Sequence, residues 1–405
     1  MSWLGIEGHD EVVTRFQRAI QNGRIASTFL FLGPAGIGKR MFAERLAMTL
    51  QCSRNAPDRM EPCGMCLSCR QALEGEHPDI LHVSKPEERA FIPIDLFIGP
   101  KEERRQVGLC AELAKKPVYE KRKIAIIDDA DFLNNEGANA MLKTLEEPPK
   151  NSIIILIGTS TARQLPTIRS RCQIIRFAPL KTGVVEQILR EKREQQLALA
   201  ESVSQTLATK KKGKTTTGKT TEKKSGVTDG IIPELLIPSV AACSGGSVQE
   251  ALALADEKFW EFRTYFLKQL AAGVRDRVTL AREIEDQLNA AGKTGALRRT
   301  RLRVILETAA GFYRQLSFWL TDFPPQDSTL ATEWEPLLKR AAEKWPFDAE
   351  GAAEIALKTA DYLELVQRNV HQITLLDAWL DELVRVHAGD ATALSLAPWA
   401  LSPNP

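Results

Sequence analysis

The apolar stretch STFLFLG (residues 27–33) runs without a break into GPAGIGKR (33–40), and that into RMFAERLAMTLQC (40–52). The first reads as a buried strand. The last has apolar residues at helical spacing, at Phe42, Leu46, Met48 and Leu50. Between them lies the spacing G-x-x-x-x-G-K, with Gly33, Gly38 and Lys39 in the defining places and Gly36 inside the loop. A strand, a glycine turn and a helix in this order aim backbone N–H groups and a helix N-terminus at one point, which suits a phosphate. Lys39 would reach the terminal phosphates. The pattern normally continues with Ser or Thr, whose hydroxyl holds the magnesium of a bound nucleotide; here Arg40 takes that place.

Two further runs, KIAIIDDAD (123–131) and SIIILIGTS (152–160), have the continuous β-branched character of strands buried on both faces. With helical stretches between them, residues 1–178 read as an α/β domain built on a parallel sheet. From about residue 180 the pattern turns helical. A small helical domain is expected over 179–256, interrupted at about 201–228 by a loop that includes TKKKGKTTTGKTTEKK (209–224). A helical domain follows over 257–393, then a frayed Pro-rich tail, 394–405. Net charge is +2, but the Lys-rich tract carries +6 by itself and leaves −4 elsewhere, so no general nucleic-acid-binding surface is indicated. No aromatic interleaves its lysines, and a solvated loop is the simpler reading. The arginines 298, 299, 301 and 303 read as an exposed helix face or a partner contact. Leu375, Leu376, Trp379, Leu380 and Leu383 share one helical face, as core or as an intersubunit seam. No apolar run reaches 18 residues and no signal core opens the chain, so a cytoplasmic protein without a membrane partner is expected.

Asp128 ends the second strand, where a carboxylate can support a phosphate-bound metal through water. Asp129 follows it. Four of the seven cysteines fall in one short segment, CSRNAPDRMEPCGMCLSC, as C-x10-C-x2-C-x2-C: Cys52, Cys63, Cys66 and Cys69. Four thiolates make a closed tetrahedral shell suited to structural Zn2+. His77 is an alternative fourth ligand, and a redox pair an alternative use. Cys110, Cys172 and Cys243 read as ordinary buried thiols.

Taken with the glycine loop and the cysteine segment, IAIIDDADFLNNEGANAMLKTLEEPPKNSIIILIGTSTARQLPTIRSRCQIIRF (124–177) resembles the clamp-loader family of AAA+ proteins. The likeness is strong over 1–178, fair over 179–256 and weak beyond. It implies an AAA+ P-loop domain with a four-cysteine zinc module (52–69), a helical lid and an all-α collar. It also places Thr159 and Ser160 at the sensor-1 region. Ser170–Arg171–Cys172 matches the SRC motif, whose arginine reaches the nucleotide of the neighbouring subunit. Three positions depart from the family's motor subunits. Arg40 replaces the magnesium hydroxyl, Asp129 replaces a catalytic Glu, and Gln249 stands at the sensor-2 arginine.

The resemblance therefore implies a δ′-type subunit, silent in its own nucleotide site, with ATP or ADP held loosely at most. Its implied partners are γ/τ and δ subunits in a pentameric loader, the sliding clamp and primed DNA. The wider assembly belongs to a DNA-directed DNA polymerase holoenzyme. Two alternatives stand beside it: an active γ/τ-type ATPase, and a zinc-containing DNA-binding protein.

Overall fold

The computed structural model describes residues 3–86, 88–104, 106–119, 121–211, 231–292, 295–321, 328–367 and 370–394. Five parallel strands form one sheet: β1 (Thr28–Leu32), β2 (Ile80–Val83), β3 (Lys123–Ile127), β4 (Ser152–Gly158) and β5 (Gln173–Arg176). Their order across the sheet is β2-β3-β4-β1-β5, and every neighbouring pair is parallel. β1, β3 and β4 are buried along their whole length, as their unbroken apolar sequences require. β2 and β5 are the edges, and each carries polar residues that reach solvent.

Alternation along the central strands sends side chains to two cores. On one face, Phe29 and Phe31 meet Phe16, with centroids 5.1 and 5.9 Å away. Phe31 also meets Phe42 and Phe177, at 5.9 and 5.1 Å. On the other, Leu30, Leu32, Ala125, Ile127, Ile154 and Leu156 pack with Phe97, Leu133 and Met141. The α/β parallel-sheet reading of the N-terminal part thus describes the structure.

The chain divides into two compact units, residues 1–188 with 245–249, and 189–244 with 250–405. Among the described residues the second unit has no strand. Its residues fall in both the segment read as a lid and the segment read as a collar. The helix Thr182–Lys211 extends through 201–211, the first part of the expected loop. The preceding part of that helix, EQILREKREQQLALA (186–200), is rich in Leu, Glu, Gln, Arg and Ala, which favour helix and carry it onward. Residues 212–230, with most of the Lys-rich tract, and the tail 395–405 lie outside the described residues.

In the second unit Leu375, Leu376, Trp379, Leu380 and Leu383 are all buried within the chain, on the helix Gln372–His387. The apolar stripe is therefore internal core. Arg301 is also buried. Its guanidinium lies 3.9 Å from the Phe259 ring centroid and 3.3 Å from an Asp256 carboxylate oxygen. Arg303 pairs with Glu250.

Candidate nucleotide site and cysteine cluster

The sheet register brings the candidate residues together. Leu32 pairs with Gly158, and Ile127 with Leu156, so β1, β3 and β4 end side by side. The glycine loop after β1, Asp128 after β3 and Thr159 after β4 line one cavity of about 350 Å³, together with Asp129 and Gln249. Gly36, Gly38, Lys39 and Arg40 are the loop's own contribution to its wall. Loops at the carboxyl ends of parallel strands are where α/β sheets bind ligands. The helix Lys39–Gln51 starts here, with Gly38 as its N-cap at a φ of 96°. Its dipole adds positive potential at the loop.

Gly36 shows why the loop needs glycine. Its φ is +72°, and a Cβ there would lie 2.4 Å from Ser247 Oγ and 2.5 Å from Gln249 Cβ. The Val248 N–H donates to the Gly36 carbonyl at 3.0 Å. Segment 245–249 therefore straps the glycine loop directly, and Gln249 meets it through packing.

Lys39 is buried and folds back on its own loop, donating to the Gly33 and Pro34 carbonyls at 2.6 and 2.5 Å. Burial lowers its pKa, against the pull of Asp131 and Asp128. Arg40 points the opposite way. Its Nη1 lies 3.7 Å from Asp128 Oδ2, and its Nε donates to Glu44 at 2.9 Å. A fixed cation thus faces the carboxylate that would support a metal. Asp129 has a left-handed φ of 57°, a conformation Asp tolerates better than most residues. Burial, then the neighbouring Asp128 charge, raise its carboxyl pKa.

Thr159 is not free to face a phosphate. Its hydroxyl donates to Asp131 Oδ2 at 2.6 Å, and its N–H lies 3.0 and 2.9 Å from the two carboxylate oxygens. Gln164 Nε2 donates to the same carboxylate. Asp131 is thus the organising residue here, and the sequence reading passed it over. The run of acids DDAD carried the only signal for it. His9 was missed as well: buried, it bonds the Ile37 carbonyl through Nε2 at 2.8 Å, tying the N-terminal segment to the glycine loop. That carbonyl can only accept, so His9 carries its proton on Nε2.

Arg171 lies away from this cavity, just past the short helix Pro166–Arg169. Its Nε and Nη2 both donate to Glu146 Oε1, the former at 2.7 Å. Its own carbonyl accepts from Thr28 Oγ1 at 2.8 Å. Cys172 beside it is half-buried, with a thiol pushed up to about 12 by burial. Cys110 and Cys243 are half-buried too, so these three are less enclosed than their expected core role implied.

The four clustered cysteines do converge. Their sulfur atoms all lie within 4.8 Å of one another. A tetrahedral Zn2+ with bonds near 2.3 Å needs separations of about 3.8 Å, so small side-chain adjustments suffice. Backbone N–H groups of Asn55 and Cys63 point at Cys52 Sγ, at 3.4 and 3.3 Å. Those of Cys66 and Cys69 point at Cys63 and Cys66 Sγ, both at 3.4 Å. Such donors favour thiolate over thiol. Burial alone would raise Cys66, but hydrogen bonds from Ser53 and the Cys69 N–H draw it down to about 5. Burial and the neighbouring Cys66 push Cys69 up. Four thiolates this close would repel one another, and a divalent cation is the group that would relieve it.

His77 is excluded as the fourth ligand. Its Nδ1 accepts from the Asp79 N–H at 3.1 Å, and its Nε2 lies 2.9 Å from Ser68 Oγ. The Ser68 hydroxyl donates to the Gln51 carbonyl at 2.7 Å, so His77 Nε2–H is the donor in that pair. Both ring nitrogens are committed. The ring is a buried strut between the cysteine module and β2.

Residues 8–181 match the family model described as DNA polymerase III, delta subunit. The DNA polymerase III subunit delta′ of Pseudomonas aeruginosa is 37% identical over 147 residues, 36% of this chain and 42% of that protein. The subunit delta′ of Bacillus subtilis is 33% identical over 193 residues, 47% of this chain and 54% of that protein. The gamma/tau subunit of Mycobacterium tuberculosis is 31% identical over 188 residues, 46% of this chain and 30% of that protein. The alignments thus span about half, or less, of the length of these relatives. No helix among the described residues is long and apolar enough to cross a membrane.

Proposed function

We propose that this chain, whose N-terminal domain belongs to the clamp-loader family of AAA+ proteins, is a δ′-type, non-motor subunit of a clamp loader. In this reading residues 1–178 are the ATPase-type domain, 179–256 the lid and 257–393 the collar. The chain joins γ/τ and δ subunits in a pentamer that places a sliding clamp on primed DNA.

One observation carries the reading: the Arg40 guanidinium faces Asp128 across 3.7 Å. In a working site of this kind a hydroxyl and a carboxylate share a divalent ion. A tethered cation in the same place neutralises the carboxylate and provides no ligand for the metal. Lys39 turned onto its own loop carbonyls, Thr159 engaged by Asp131, and Gln249 in place of an arginine point the same way. Arg171 retains the charge needed to act on a neighbour's nucleotide, where it would stabilise the negative charge of the transferring phosphoryl group. The four cysteines are proposed to hold one structural Zn2+, which supplies a fixed tetrahedral cross-link when bound. Cys52 would anchor that link at the end of the helix that begins at Lys39.

A second reading, an active γ/τ-type motor, is favoured by identity to gamma/tau relatives nearly as high as to delta′. ATPase turnover separates the two. The purified chain is assayed alone, then with γ/τ and δ subunits, clamp and primed DNA, as wild type and as Arg171→Ala. No turnover alone, with stimulation of the mixture that Arg171→Ala removes, is the expected result. Magnesium-dependent turnover by the chain alone would establish the motor reading instead.

A further inference from the structure

A guanidinium has five N–H donors in a fixed plane, and the acceptors around Arg171 take four of them. Nε and one hydrogen of Nη2 go to Glu146 Oε1. The two hydrogens of Nη1 go to the Thr167 carbonyl at 3.0 Å and to Ser170 Oγ at 3.2 Å. One N–H is left. An arginine that grips a phosphoryl group does so with two parallel donors. In this pose Arg171 cannot make that contact.

Glu146 is the partner able to release it. It is the last residue of the helix Asn135–Glu146, where the negative end of the helix dipole disfavours a carboxylate and a nearby cation offsets the cost. The pair is open to water, with 30% of the Arg171 side chain and 49% of the Glu146 side chain exposed. An ion pair so exposed is weak and is screened by salt. The Arg171 backbone, by contrast, is pinned by Thr28, so only the side chain has to move.

We propose that Glu146 is a positioning residue that holds Arg171 back against its own subunit, and that the triphosphate of a neighbouring subunit must displace it before the arginine engages. This rests on the reading of Arg171 as a trans finger. Release then contributes to the activation barrier of the neighbour's hydrolysis, and ionic strength modulates it.

The test uses the whole chain and E146Q, which removes the charge and keeps the shape. Phenylglyoxal labelling of Arg171 in the isolated chain, followed by peptide mass spectrometry with Arg169 as internal reference, reads availability directly. E146Q should label Arg171 about two- to fivefold faster, the worth of an exposed ion pair. Rising NaCl should bring wild type toward the E146Q rate and leave E146Q flat, a response that a purely structural role would not give. In the assembled loader, E146Q should raise the Arg171-dependent part of ATP turnover by a similar factor, in kcat rather than KM. Equal labelling of the two chains, or loader turnover lowered by E146Q, would overturn the proposal. Loader turnover indifferent to R171A would overturn the finger reading instead, whatever the labelling shows.

Discussion

Arg40 and Asp128 face each other across 3.7 Å, one from the first turn of a helix and the other from the end of β3. The arginine is held from its other side by Glu44, one helical turn on. Magnesium should therefore do nothing for nucleotide affinity in the natural chain. Arg40→Thr restores a hydroxyl and frees the Asp128 carboxylate. It should make binding of a fluorescent ATP analogue at least about tenfold tighter with magnesium than with EDTA, about 1.4 kcal/mol. If the variant shows no magnesium dependence, the arginine is not what keeps the metal out.

Asp131 accepts from the Thr159 N–H and hydroxyl and from Gln164. Hydrogen bonds to a charged group contribute more than neutral ones, and they strengthen one another in a network. Asp131→Ala should lower stability by about 2–4 kcal/mol in urea unfolding. A loss under about 0.5 kcal/mol would mean the three donors find water instead.

The cysteine cluster predicts one Zn2+ per chain by metal analysis. Cys66→Ser, or a strong chelator, should abolish it and lower the melting temperature by roughly 5 °C or more. His77→Ala should keep the metal, because its ring nitrogens serve Asp79 and Ser68. Zinc lost from the His77 variant would contradict the ligand assignment.

His387 gives a pH signature. Its Nε2 lies 2.8 Å from the Tyr313 hydroxyl, and the Trp345 ring packs edge-on at 5.4 Å. Burial lowers its pKa from 6.5 to about 4. The unfolded chain therefore takes up the proton first. This contribution to stability is complete above about pH 6.5 and is lost as pH falls from there toward 4, about 3 kcal/mol in all. His9, His77 and His82 shift in the same sense. Urea unfolding at pH 7 and pH 5 should show wild type losing more stability than His387→Gln. Parallel losses would assign the slope to other groups.

The strands β1, β3 and β4 were legible because each is an unbroken apolar run buried on both faces. β2 and β5 were not, since ILHV and QIIR are only four residues long and are interrupted by polar residues, one in the first and two in the second, as suits edge strands. The cysteine module could be read from local spacing alone. The Arg40 substitution could too, although its geometry could not. The roles of Asp131, His9 and Glu146 depend on partners about 25 to 30 residues away in sequence, which no local pattern encodes. The internal burial of the Leu375–Leu383 stripe likewise needed the packing of the neighbouring helices.

The strap of residues 245–249 on the glycine loop has a consequence for biosynthesis. The N-terminal unit ends its first pass at residue 188 and is completed only when this short return segment arrives, after 189–244 have been made. At about 5–20 residues per second that interval lasts roughly 3–11 s. Through it, the Gly36 carbonyl waits for the Val248 N–H. A chain made only as far as residue 188 holds all five strands of the sheet but not the segment that straps the glycine loop.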